Sequence, residues 1–158
     1  MLFTAFLIAT TAPSEAGNSK LAPARVSDVV AAAMNCFHAV AMKDVEVSRL
    51  TEAGWSEVLD SAGKPETPGG HIFRRPGLSA EIAVAGPVCS LVAPVTTFDD
   101  VQAALLGIDD AVHPDRIEEV KQGILLHKGT RRILFFVGSP TVKSPAAVRI
   151  DVMNSESR

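Results

Sequence analysis

The sequence predicts an α+β fold, an antiparallel β-sheet with helices packed on one face, in one disulfide-stapled domain. Two stretches read as hairpins: Leu78 to Val95 turning at Gly86-Pro87, and Ile124 to Phe136 turning at Lys128-Gly129-Thr130. Stretches of helical period stand before and between these hairpins, an order that suits α+β better than a parallel α/β sheet. In Leu78 to Ala85 and Ala146 to Met153 apolar and polar residues alternate, as in a sheet with one face in water.

The chain opens on an apolar run, Leu2 to Ala9, too short to cross a bilayer, which takes roughly 20 apolar residues. "SEA" follows and places Ser14 and Ala16 at the positions a signal peptidase reads. The expected organisation is a signal peptide over 1–16, a loose segment over 17–26, a single α+β domain over 27–153 and a solvated tail over 154–158. No Lys or Arg precedes the apolar run, so a retained N-terminus on a cytosolic protein is the alternative. No later run is long enough to span a membrane; "GILLHKGTRRILFFVG" is broken by His127, Lys128, Arg131 and Arg132.

Ser27 is the expected N-cap of a first helix, in which Val26, Val30, Ala33, Phe37 and Val40 recur at helical spacing. Asp44 can cap a short second helix that ends at Gly54, with Trp55 as an anchor directly after it. "WSEVLD" is a weak strand signal, "SAGKPETPGG" a loop, and "HIFRR" a strand ended by Pro76-Gly77. Thr97 caps a third helix with an apolar stripe of Phe98, Val101, Leu105 and Ile108. The charged segment "DRIEEVKQG" reads as helical, and "AAVRIDVM" as the last strand. A helix followed by a meander occurs twice, over 27–95 and 97–153, but the spacings differ and no motif repeats.

Composition narrows the function classes. The 158 residues are 47% hydrophobic and 21% charged, with a net charge of −3, which gives no overall attraction to nucleic acid. Tyr is absent and aromatic residues are 5%, too few for a base-stacking platform. The four histidines are scattered and no ligand spacing recurs, so neither a metal nor another cofactor is expected. There is no G-x-S-x-G elbow, and "PGG" at 68–70 precedes a strand where a phosphate loop would precede a helix.

The two cysteines are more informative. Cys36 shares a helix face with Val29, Ala33 and Val40, and Cys89 shares strand parity with Leu91 and Ala93. Both thiols therefore aim at the apolar interior, as they must if the first helix packs across the Gly86-Pro87 hairpin. In an exported protein such a pair oxidises, so a Cys36–Cys89 bridge and an extracytoplasmic location, periplasmic or secreted, are expected together. Two unlinked buried thiols are the cytosolic alternative.

The remaining polar feature is a basic set on the strands: His71, Arg74 and Arg75, then His127, Arg131 and Arg132. Arginine suits bidentate contact with carboxylate or phosphate, and neighbouring hairpins would merge one arginine from each pair into an anion-binding patch. Charges at strand ends also simply keep sheets soluble, which is the plainer reading. The expected function is a non-enzymatic exported domain that binds a protein or surface component. A small extracytoplasmic hydrolase, or a cytosolic adaptor or chaperone if residues 1–16 are retained, are the alternatives.

Overall fold

A computed structural model describes residues 22–66, 69–136 and 146–156. The expected signal peptide and residues 17–21 of the loose segment lie outside these residues. The first half runs α1 (Val26–Ala39), α2 (Val47–Glu52), β1 (Ser56–Glu57), β2 (His71–Arg74), β3 (Glu81–Ala85) and β4 (Val88–Pro94). The second runs α3 (Phe98–Val112), β5 (Arg116–Val120), β6 (Gly123–Lys128), β7 (Arg131–Phe136) and β8 (Ala147–Asn154). The eight strands form one sheet in the order β1-β2-β3-β4-β8-β7-β6-β5, every neighbouring pair antiparallel. Each half is thus helix then four-stranded meander, and the last strands of the two meanders join at the centre. The weak echo in the sequence corresponds to a topological equivalence of the halves about the β4–β8 pair.

The helices form where the apolar period predicts. In α1, Val29, Ala32, Ala33, Cys36 and Phe37 make the buried stripe. Its start differs from expectation: Arg25 is the N-cap and makes no side-chain cap bond, while its guanidinium pairs with Asp28 at 3.0 Å. Asp44 does not cap α2; its Oδ1 accepts the Val45 N–H at 2.9 Å in the turn before it. The third helix follows expectation, with Thr97 Oγ1 accepting the Asp100 N–H and Asp100 returning the bond in a capping box.

One segment is a strand where a helix was expected. Arg116 to Val120 pair with Gly123 to His127, turning at Lys121-Gln122. As the edge strand β5 has no neighbour on its outer side among the described residues, four of its five residues are exposed. An edge strand this polar shows no alternation for a sequence reading to find. The last strand also runs one residue further than expected: Asn154 is buried, and its Nδ2 donates to Thr130 Oγ1 at 3.1 Å.

The core lies between the helices and one face of the sheet. Register places Phe73, Ile82, Leu91, Ile150, Ile133 and Phe135 together on the helix side, all 2% exposed or less. Burying each such side chain contributes roughly 1.5–3 kcal/mol. Cys36 and Cys89 meet in this layer and are joined, with Cα atoms 5.6 Å apart and neither residue exposed. The bridge ties α1 to β4, the strand at the centre of the sheet.

The helices α1 and α3 cross closely at Gly107. A β-carbon there would stand 2.7 Å from Val30 Cγ2 on α1, too close for two carbons. Gly107→Ala should therefore destabilise by up to about 2 kcal/mol, the overpacking cost of about 1–3 kcal/mol being offset by a helix-propensity gain of about 1 kcal/mol. Denaturant midpoints check this. Adding Val30→Ala should restore most of the loss, and additive losses would show that the crossing is not the cause.

Candidate functional site

The helices cover one face of the sheet, and among the described residues no element covers the other, bare face. That bare face carries the residues of opposite parity: Val88, Ser90 and Val92 on β4, Arg149, Asp151 and Met153 on β8, Leu134 and Phe136 on β7. Eight strands at about 4.8 Å spacing make the sheet about 34 Å wide. Strands of five to eight residues in its centre give a surface on the order of 700 Å², close to one side of a standard protein interface.

Its middle is apolar around one sunken acid. Asp151 stands between Ser90 on β4 and Leu134 on β7, and its side chain is only 12% exposed. Its Oδ2 lies 3.4 Å from the Arg149 guanidinium, which in turn rests 4.6 Å from the centroid of the Phe136 ring. The other oxygen, Oδ1, is buried with no hydrogen-bond partner among the described residues. Leaving such an acceptor unpaired costs about 1–3 kcal/mol. Beside it Val92 is 43% exposed, and Leu134, Phe136 and Met153 are half-buried.

The basic set is spread out rather than gathered. Four strand spacings, about 19 Å, separate β2 from β7, because β3, β4 and β8 lie between them. On the bare face Arg74 is held by Glu81 at 2.9 Å, and Arg132 stands across from His127 on the far side of the centre. Arg131 points the other way: its Nε donates to the Val40 carbonyl at 3.0 Å and its guanidinium lies 5.0 Å from the centroid of the Phe37 ring, locking the end of α1. Arg75 lies against Gly54, its Nε 3.4 Å from where a β-carbon on that glycine would stand. His71 is paired with Glu57 at 2.5 Å on the helix side. No single patch forms from both hairpins, because they sit in different halves of the sheet.

His127 belongs to a separate group at the β5 edge, with Glu118 3.4 Å away and Arg116 3.5 Å away. The Arg116 guanidinium hydrogen-bonds Glu118 and holds its pKa below the usual carboxylate value, with a smaller pull from His127. Asp115 is lowered in the same way, first by the Gly129 N–H and then by the Lys128 ammonium. Because both pKa values are lower folded than unfolded, what these pairs contribute is present above the unfolded carboxylate pKa. It fades as pH falls through the lowered folded values. Both pairs are exposed, so solvent screens them.

Two cavities line the helix side of the same edge. One of about 180 Å³ is walled by Leu105, Leu106, Asp109, Ile117, Ile124 and Leu126; another of about 300 Å³ continues past Glu119, Val120, Lys121 and Gly123. Neither is lined by a histidine. Among the described residues no cluster of His, Cys, Asp or Glu is arranged to hold a metal ion, and no helix is long and apolar enough to cross a membrane. Sequence reasoning placed Asp151 on the wet face but missed its burial; the alternation Val148-Arg149-Ile150-Asp151 shows direction, not depth. Protein-family models, curated proteins and solved structures yield no match to the chain.

Proposed function

We propose that the chain is a non-enzymatic, extracytoplasmic binding domain that docks a protein partner on the bare face of its sheet. The observation that carries this reading is the apolar group of Val92, Leu134, Phe136 and Met153 around the sunken Asp151, at the middle of a sheet face of interface size that no described element covers. A partner that covers Val92, Phe136 and Met153 and brings an acceptor to the exposed Arg149 guanidinium would exclude water around the sunken acid. The Cys36–Cys89 bridge supports an oxidising compartment, periplasmic or secreted, since buried thiols in the cytosol stay reduced.

The test places a photo-crosslinking residue at Val92 of the full chain in its native host, with a second at the exposed Lys43 as control. A discrete adduct from position 92 alone is expected. With that adduct identified, Phe136→Ala should raise Kd for it about tenfold or more, the loss typical of an aromatic anchor. Equal labelling from both positions, or unchanged affinity in the Phe136 variant, would remove the reading. Thiol alkylation of cell extracts before and after reduction checks the compartment: an oxidised pair fits export, and free thiols do not.

A further inference from the structure

We infer that β5 is a pairing edge for a second copy of this chain, the two β5 strands running antiparallel about a two-fold axis at Ile117. Three observations point to it independently of the bare sheet face. First, the two ends of the sheet differ. The β1 end is two residues long, with Trp55 buried beside it, whereas β5 offers five residues whose outer backbone groups have no strand beside them among the described residues. Second, Ile117 and Leu106, 55% and 67% exposed, stand together along the open groove between α3 and β5. Large apolar side chains clustered at a sheet edge favour a covered state over water.

Third, the charges select the partner and the register. A two-fold axis perpendicular to the sheet keeps both helix layers on one side and sets residues of like parity opposite each other. Centring on Arg116, Glu118 or Glu119 would oppose identical charges at the axis. Centring on Ile117 opposes two isoleucines on the groove side. On the other face, Arg116 then lies across from Glu118 of the partner subunit, twice by symmetry. The next pair inward on the groove side is Asp115 with Glu119 of the partner subunit, and Lys128, 3.1 Å from Asp115, offsets that repulsion. The exposed acids that would repel a foreign strand are thus answered by a copy of the same strand.

The experiment uses the purified full chain with its bridge intact. Ile117→Cys should form an intermolecular disulfide under mild oxidation, since paired Cα atoms across antiparallel strands lie within bridging range. Glu119→Cys should not, its two copies being about four residues, roughly 13 Å, apart along the strands. In sedimentation from micromolar to millimolar protein, Arg116→Glu should raise the dimer Kd at least tenfold. Arg116→Glu with Glu118→Arg should return it to within about threefold of the parent, a rescue of the kind charge reversal gives across an interface. Unchanged melting temperatures establish that these exposed changes leave the fold intact. A parent chain that stays monomeric to millimolar concentration, equal cross-linking at positions 117 and 119, or a failed charge reversal would each overturn the pairing.

Discussion

Converting Cys36 and Cys89 together to alanine is expected to lower the stability of the protein by about 4 kcal/mol. The bridge spans 53 positions, and the chain-entropy account assigns a loop of that length this magnitude. The effect acts mainly by freeing the unfolded chain, since alanine leaves the helix–sheet contact of α1 with β4 largely in place. In thermal terms the loss is roughly 10–20 °C in Tm, readable by calorimetry on the double variant. Both residues are fully buried, so a reductant added to the native protein should open the bridge only as fast as the fold itself opens. Rapid reduction without unfolding, or a Tm within a degree or two of the parent, would show that the staple carries little of the fold's stability.

The second large effect is expected at Trp55. This residue is 1% exposed, follows α2 directly, and donates its indole N–H to Asn35 Oδ1 on α1 at 2.9 Å. It thereby seats the α2 turn against α1. Trp55→Ala removes a large apolar volume and should cost about 3–5 kcal/mol. Trp55→Phe keeps most of that volume but deprives Asn35 of its donor, and a smaller loss of about 1–2 kcal/mol is expected. Trp55 is the sole tryptophan of the chain, so denaturation followed by far-UV circular dichroism supplies the comparison. Equal losses from the two variants would place the energy in the hydrogen bond instead of the packing.

Elements with a strong local period were legible in the sequence. Cys36 and Cys89 each sit on an apolar face of its own element, and that together with the expected export pairs them before any topology is known. Thr97 announced α3 because its capping box is a local motif, and Lys128-Gly129-Thr130 announced the β6–β7 hairpin in the same way. What failed was non-local. The adjacency of β4 and β8, which splits the basic residues between halves, depends on two segments some sixty residues apart. Arg116 to Val120 failed for a different reason: a strand with one neighbour and little burial needs no apolar alternation, and its charges resemble a helix surface. The candidate site shared this limit. Asp151 is sunken only because Ser90 and Leu134 arrive from other strands on either side of it.

The position of the bridge also bears on the order in which the chain can assemble. Both sulfurs belong to the first half, so α1 can be clamped to β4 while the second meander is still being delivered. Until β8 arrives, the clamped intermediate exposes the inner border of β4, Val88 to Pro94, as an adhesive seam. Its aggregation should therefore be governed by how soon residues 147–154 reach that seam, and chains truncated before β8 should be the species that chaperones retain or proteases clear.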